Sequence, residues 1–386
     1  MISVALFCVC IVKKLFKKLF TLSLITVILT GCQTSQIALN NVLNVIQTKN
    51  LLNNIAPTSS QHLNKVIQMA ILNLAKEAVK EWGKDPKQST KYEYVKYLNS
   101  YKSRASIDYS KRSITVETNL KNKSELQKAI VTTLLAPYNP TLSELYSSNE
   151  PKAGATPFLY EDVVDNKNKP IRWAWRANEY AKYLLKTRRK TRYVNRKEVQ
   201  YVTFSMIPKK NATIKYHNKY SKLVNAEAKK YNLNPALIMA IIETESNFNP
   251  YAISSVPAYG LMQIVPRTAG RDSWRYLHNQ DKTPSKQYLF NTNNNIRMGS
   301  AYLYLLHNRY LKDIKHPLSR QYCAIAAYNT GASNVYRAFN SKKALALRQI
   351  NKLNPKEVYK VLRQRLPYKE TRRYIQKVIT AKQNYT

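Results

Sequence analysis

Apolar residues recur at helical spacing in the first half of the chain and predict three helices there. The segment His62–Trp82 carries apolar side chains every three or four positions, and Gly83 is placed to end it. Shorter stretches with the same spacing follow at Glu125–Leu135 and Ala177–Leu185. We therefore expect one amphipathic helix of about six turns and two shorter helices.

Alternation of apolar and polar residues predicts strands between these helices. Ser106–Tyr109 and Ser113–Thr118 alternate on either side of Ser110–Arg112, which is typical of a β-hairpin. A further alternating segment, Glu198–Ile207, predicts another strand. Helices and strands together indicate a small α+β domain over residues 61–209.

The pattern becomes almost wholly helical from about Asn211. Tyr216–Tyr231 reads as one helix, and Asn234 followed by Pro235 provides an N-cap and a proline at the first helical position. The helix that starts there extends to Ser246 and is expected to stop before Asn249–Pro250. The predicted fold is thus an α+β N-terminal domain followed by a mainly α-helical domain over residues 210–386.

The N-terminus has the pattern of an export signal. Four lysines precede an apolar run at Leu19–Leu29, which is too short to span a bilayer comfortably. The ending Leu29–Cys32 resembles the bacterial lipobox, which implies a signal peptide at 1–31, a lipid on Cys32 and a tether at 32–60. Gln33, which is not an aspartate, then favours transfer to the outer membrane, whose periplasmic face would hold the protein. The alternative is an uncleaved membrane anchor.

Cysteine and histidine usage limits the chemistry. If the lipobox resemblance holds, Cys8 and Cys10 of the 4 cysteines would leave with the signal and Cys32 would carry the lipid, so Cys323 alone would remain and no intramolecular disulfide is expected. Cys323 stands in an apolar segment and is expected to be a core residue. The five histidines are too scattered to offer the spacing of a metal site, and we predict no metal and no cofactor.

Glu245 is the strongest candidate for catalysis. It lies in the last turn of the predicted helix Pro235–Ser246, and no Asp or Glu occurs from Ser246 to Arg271. Local chemistry would therefore rest on one general acid and base with neutral hydrogen-bonding partners. Glu243 competes for this role, because its position in the helix is similar.

A series of motifs in the C-terminal half resembles the catalytic domain of the soluble lytic transglycosylase type, which has a lysozyme-like fold. The matching residues are Glu245-Ser246, Ser254, Gly260–Gln263, Pro266, Thr268-Ala269, Asn295-Ile296, Gly299, Tyr302-Leu303, Ala327–Asn329, Glu370–Arg372 and Tyr374. The whole chain is similar to membrane-bound lytic transglycosylases through Glu81–Asp85, Pro157–Tyr160, Val163–Asn166 and Pro170–Trp173.

This resemblance implies a reaction and a set of site residues. Glu245 would be the catalytic acid and then base, while Tyr328 would lie near it. The bond cleaved would be the β-1,4 bond between N-acetylmuramic acid and N-acetylglucosamine in peptidoglycan glycan strands, leaving 1,6-anhydromuramic acid ends. The positions assigned to substrate binding are Ser254, Gln263, Tyr328, Asn329, Glu370 and Tyr374. The alternatives are a muramidase that uses water and a non-catalytic peptidoglycan-binding lipoprotein.

A formal net charge of +41 indicates an anionic partner. Charge alone would suggest nucleic acid, but an exported lipoprotein does not meet a chromosome, so no nucleic-acid partner is predicted. Peptidoglycan, whose peptides carry free carboxylates, and lipid headgroups remain. The densest basic run, Lys186–Arg192, is interpreted either as a contact to such a polymer or as a solvated helix end and loop.

Overall fold

The computed structural model describes residues 76–137, 148 and 156–385, all within one compact unit, Asn54–Thr386. The predicted signal at 1–31, the tether at 32–60 with Cys32, and most of the predicted helix His62–Trp82 lie outside the described residues. Residues 76–82 of that helix are helical, and Gly83 follows with a left-handed φ of 56°. None of the helices in the described ranges is long and apolar enough to cross a membrane.

Five strands of the described residues form one antiparallel sheet. They are β1 (Glu93–Leu98), β2 (Ser103–Asp108), β3 (Ser113–Thr118), β4 (Lys190–Val194) and β5 (Lys197–Ser205), and their order across the sheet is β1-β2-β3-β5-β4. The predicted hairpin is confirmed as β2 and β3, in which Asp108 pairs with Ser113 at the turn. The strand predicted at Glu198–Ile207 is confirmed as β5.

Both faces of β1 are buried, which explains why alternation did not reveal this strand. Tyr94 and Leu98 belong to the main apolar core, while Val95 and Tyr97 belong to a second cluster on the opposite face. Two helices, α1 (Lys123–Leu134) and α2 (Ala174–Thr187), contribute to the main core. They confirm the helices predicted at Glu125–Leu135 and Ala177–Leu185.

The interpretation of Lys186–Arg192 as a solvated helix end and loop is wrong for its second half. Its last three residues belong to the edge strand β4. The Arg192 guanidinium lies 2.6 Å from a carboxylate oxygen of Glu117 and 2.8 Å from one of Asp85. At least one cation of this run, Arg192, therefore stabilises the edge of the sheet.

The rest of the described chain is helical. Its helices are α3 (Lys209–Tyr231), α4 (Pro235–Ser246), α5 (Arg271–His278), α6 (Lys286–Phe290), α7 (Thr292–Leu305), α8 (Pro317–Thr330), α9 (Ala332–Arg337), α10 (Lys343–Lys352), α11 (Pro355–Arg365) and α12 (Lys369–Lys382). Two π-helical turns, Pro266–Gly270 and Leu306–Tyr310, and a short 3₁₀ turn, Gln383–Tyr385, complete it. The predicted fold class, an α+β region followed by a mainly α-helical one, is confirmed.

Helix α4 lies at the centre of the helical part. Every residue from Ala236 to Ser246 is buried, and the helix packs against α3 and α12. The apolar core continues from these helices to the sheet, where the Tyr94 ring lies 4.9 Å from the ring of Tyr251. Cys323 is buried in the same core, as expected. The sheet and the helices therefore stabilise one another directly.

Candidate active site

Helix α4 delivers Glu245 to the site in its last turn. The side chain of Asn234 accepts a hydrogen bond from the backbone N–H of Leu237, and Pro235 occupies the first helical position, as predicted. The helix ends because Asn247 adopts a left-handed conformation, with φ of 48°. The predicted helix is confirmed, and the chain turns sharply just after Glu245.

The Glu245 carboxylate is buried and paired with a lysine from the sheet region. Glu245 is 4 % exposed. Its Oε2 lies 2.8 Å from Nζ of Lys91, which is two residues before the start of β1. Burial alone would lower the pKa of Lys91, but the attraction of Glu245 outweighs it and the pKa is raised. The two side chains thus form an ion pair that is largely shielded from solvent.

Hydrogen bonds hold the Lys91 segment against the end of α4. The Tyr92 hydroxyl donates to the carbonyl of Thr244 at 3.1 Å, and the Asn249 amide donates to the carbonyl of Lys91 at 3.4 Å. The backbone N–H of Ile253 donates to the carbonyl of Thr90 at 3.2 Å. We call Thr90–Tyr92 the strap, because these contacts fix it across the residues on both sides of Glu245.

Two tyrosines predicted for the site lie beside Glu245. The Tyr328 hydroxyl donates to the carbonyl of Met262 at 2.9 Å. The buried Tyr374 hydroxyl makes no hydrogen bond of good geometry within the described part of the chain, but it lies close enough to the Glu245 carboxylate to interact with it. Burial, and after it the charge of Glu245, raises the pKa of both tyrosines well above its ordinary value. Tyr328 and Tyr374 are therefore both neutral and stand close to the Glu245 carboxylate.

A tight turn brings Gln263 towards the site. Gly260 has φ of 76°, and a side chain there would collide with the Asn295 amide. The buried Asn295 side chain accepts from the N–H of Met262 at 2.7 Å and donates to the carbonyls of Tyr259 and Leu289 at 2.8 and 2.7 Å. Asn295 therefore fixes the turn that carries Gly260–Gln263.

Two hydrogen bonds from its amide nitrogen hold the Gln263 side chain in place. Its Nε2 donates to the carbonyls of Ala252 and Gly260 at 3.1 and 3.0 Å, and its buried Oε1 has no partner among the residues described. An acceptor held in place with a free lone pair suits a sugar hydroxyl or amide N–H. One polar atom of Gln263 thus has no partner within the described part of the chain, and a ligand that reaches this turn could supply one.

The remaining predicted site residues have different surroundings. Ser254 uses its hydroxyl within its own loop, where it bonds the Val256 carbonyl and accepts from the N–H of Ala258 at 3.1 Å. The Asn329 side chain accepts from the Thr371 hydroxyl at 2.6 Å. Glu370 is exposed at the start of α12 and contributes to the field around Lys91. Ser254 and Asn329 therefore shape the site through the backbone and through α12.

Glu243, the competing carboxylate, faces a different part of the molecule. One of its oxygens lies 2.9 Å from Nζ of Lys209 at the start of α3. The other accepts from the hydroxyl of Tyr385 at 2.8 Å and from the amide of Asn384 at 3.5 Å. Glu243 therefore ties the C-terminal turn to α4 and α3.

Sequence reasoning missed Lys91. It is one of 63 lysines and arginines, so its charge carries no signal, and its partner lies far away along the chain. Asn295 was noticed within a motif but was given no role, because its three bonds reach Tyr259, Met262 and Leu289, and contacts of this kind leave no local pattern in the sequence. Within residues 76–137 and 156–385, no group of side chains could hold a metal ion.

Two family models match the chain. The model described as membrane-bound lytic murein transglycosylase C, N-terminal domain, covers residues 57–219, and the transglycosylase SLT domain covers residues 222–351. The two matches meet within α3.

Relatives from two bacteria are similar over most of their length. A membrane-bound lytic murein transglycosylase C of Cronobacter sakazakii is 44% identical over 298 residues, which are 76% of this chain and 81% of the relative. One of Klebsiella pneumoniae is 44% identical over 296 residues, with the same shares. Among solved structures, an inactive mutant of the lytic transglycosylase Slt from Pseudomonas aeruginosa is 29% identical with a TM-score of 0.32, over 42% of this chain and 23% of that one.

Proposed function

Because the chain belongs to the family of membrane-bound lytic murein transglycosylase C, we propose that Glu245 is the acid and base with which it cleaves peptidoglycan. The chain is a peptidoglycan lytic transglycosylase, and therefore a lyase. The observation that carries the proposal for Glu245 is its setting: a buried carboxylate at the end of α4, paired with Lys91 and flanked by Tyr328 and Tyr374.

The surroundings of Glu243 support Glu245 over it. Both Glu243 oxygens are engaged, one with Lys209 and the other with Tyr385. A general acid must reach a substrate oxygen within hydrogen-bond distance. Glu245, in contrast, lies close to Tyr328, whose hydroxyl donates to the Met262 carbonyl in the turn that carries Gln263.

In the first half of the reaction, protonated Glu245 gives its proton to the oxygen that bridges N-acetylmuramic acid and N-acetylglucosamine. The bond from the muramyl anomeric carbon to that oxygen breaks, and the acetamido oxygen of the same sugar stabilises the cationic centre. Lys91, 2.8 Å from Glu245, stabilises the carboxylate that this step creates. The Lys91 ammonium therefore favours proton donation, because the ion pair forms as the proton leaves.

In the second half, ionised Glu245 takes the proton of the muramyl 6-hydroxyl. The hydroxyl oxygen attacks the anomeric carbon and closes a 1,6-anhydro ring, which restores the protonated acid. Since the attacking group belongs to the same sugar, the step gains the high effective concentration of an intramolecular reaction. Glycosidases that use water generally need a second carboxylate, whereas this route needs one.

The test is mass analysis of soluble products after the protein digests peptidoglycan. We expect fragments ending in 1,6-anhydromuramic acid, which Glu245→Gln abolishes and the matched variant Glu243→Gln retains. Reducing ends would mean that water is the acceptor and that the protein is a muramidase. Release of nothing by the wild type would favour a binding lipoprotein.

The relatives' name describes membrane-bound enzymes, and association with a membrane is therefore expected of this chain. We assign the attachment to a lipid on Cys32 and the location to the periplasmic face of the outer membrane. Replacement of Cys32 by Ser is expected to abolish palmitate incorporation and release the protein from outer-membrane fractions. Retention in those fractions would contradict the anchor.

A further inference from the structure

A cavity of about 270 Å³ lies between the strap and α12. Four cationic side chains line it: Lys91 from the strap, and Lys369, Arg373 and Lys377 from α12. The acidic group in its lining is Glu370. The cavity therefore has a strong excess of positive charge.

The three cations of α12 lie on one face of the helix. Lys369, Arg373 and Lys377 follow one another at intervals of four residues, which places their side chains in a row. All three are exposed, and within the described ranges none has a carboxylate at ion-pair distance. Like charges in such a row repel one another, so a bound anion would stabilise this arrangement.

Tyr374 connects the cavity to the catalytic carboxylate. It is 3 % exposed and lines the cavity. Its hydroxyl interacts with the carboxylate of Glu245. The cavity therefore reaches the side chain that is proposed to act on the sugar.

The cavity adjoins the catalytic carboxylate. Lys91 lines it and at the same time pairs with Glu245, and Thr244, the residue before Glu245, forms part of its wall. An occupant therefore lies next to the sugar whose bond is broken. In peptidoglycan that sugar, N-acetylmuramic acid, is the one that carries the peptide.

We infer that this cavity binds the carboxylate groups of the peptide attached to N-acetylmuramic acid, with Arg373 and Lys377 as the principal contacts. The inference rests on the proposed function, because it takes the sugar beside Glu245 to be muramic acid. The proximity of the cavity to Glu245 favours a peptide over a lipid headgroup. Charge-assisted bonds from two cations are strong enough to distinguish a carboxylate from an amide.

The experiment measures binding separately from catalysis. The probes are a soluble disaccharide tetrapeptide with free carboxylates and the same compound with its carboxylates amidated, titrated calorimetrically. The test variant is Arg373→Gln with Lys377→Gln. The matched control is Lys356→Gln with Lys360→Gln, which removes the same charge at the same four-residue interval from exposed positions of α11.

We expect the wild type and the control to bind the free carboxylate form about tenfold more tightly than the amidated form. In the Arg373/Lys377 variant this preference should fall below about threefold, with binding of the amidated form unchanged. Equal affinity of the wild type for both probes would overturn the inference. It would also be overturned if the variant kept the full preference but lost binding to vesicles containing anionic phospholipid.

Turnover of glycan strands stripped of peptide separates this inference from the proposed function. Cleavage of these strands by wild type and variant at the same rate is expected, since the cavity would then be empty. A wild type that binds the free carboxylate form preferentially but cleaves no glycan would refute the catalytic proposal and leave the binding site in place.

Discussion

Nζ of Lys91 lies 2.8 Å from Oε2 of Glu245, which joins the strap before β1 to the end of α4. One partner belongs to the region of the sheet and the other to the helical region. The pair is largely shielded from water, so its attraction is stronger than that of a surface ion pair. The setting of the proposed catalytic acid is therefore completed by a segment remote in sequence.

Replacement of Lys91 by Met is expected to lower kcat on peptidoglycan by at least about tenfold. Without the neighbouring ammonium, 2.8 Å away, the carboxylate that Glu245 becomes on giving up its proton is less well stabilised. The rate of release of anhydro products measures this. Lys91→Arg retains the charge and should keep most of the wild-type rate, and an unchanged rate in Lys91→Met would show that Lys91 only supports the fold.

Substitution of Glu243 by Gln is expected to lower stability while activity persists. The change weakens the bonds to Lys209 and Tyr385 and should cost about 1 kcal/mol in the free energy of unfolding. The urea midpoint measures the loss. Loss of anhydro products at an unchanged midpoint would instead make Glu243 the catalytic group.

Asn295→Ala is expected to destabilise the protein by about 3 kcal/mol. The substitution removes three hydrogen bonds and leaves the buried N–H of Met262 without a partner. Asn291→Ala, at the N-cap of the same helix, is the matched control and should cost only about 1 kcal/mol. Similar urea midpoints for the two variants would contradict the role of Asn295 in fixing the turn.

Asp165 is expected to make the fold acid-sensitive. Burial acts to raise the pKa of this carboxyl, but bonds from the N–H groups of Lys169 and Lys167 and from Arg176 outweigh it, so the pKa is lowered from 3.8. A lowered pKa gives stability that is present above the ordinary value and is lost as pH falls through the folded value.

Unfolding measured between pH 5 and pH 3 should therefore show a smaller loss of stability in Asp165→Asn than in the wild type. The variant should be the less stable of the two at pH 7, where the wild-type carboxylate is fully ionised. Parallel curves for the two proteins would exclude Asp165 as a source of acid sensitivity. Comparison with the variant is needed because other carboxyls, such as Asp85, also have a lowered pKa.

Local signals were sufficient to predict much of the fold. The cap and proline at Asn234 and Pro235 placed α4 correctly, and alternation placed the β2–β3 hairpin. Strand β1 was missed because both of its faces are buried, which removes the alternation. Strand β4 was missed because Arg192, which pairs with Glu117, resembles a solvated residue in sequence.

The site was less accessible to sequence reasoning, for a physical reason. Glu245 could be proposed because helix position and motif coincide at one place in the chain. The pairing with Lys91 is a tertiary contact that leaves no local pattern in the sequence. The cations Lys369, Arg373 and Lys377 of α12 form a binding cavity only because the strap lies beside them in the folded structure. Residues that work through distant partners need the folded structure to be found.

The bond from the Tyr92 hydroxyl to the Thr244 carbonyl also bears on timing during biosynthesis. Synthesis from the N-terminus produces the sheet region first and the helix with Glu245 later, so the strap is made before its partner. Until both have folded together, Glu245 lacks Lys91 and the complete wall around it. The proposed active site of an enzyme that cuts peptidoglycan is thus complete only when both parts of its chain have been made and have folded together.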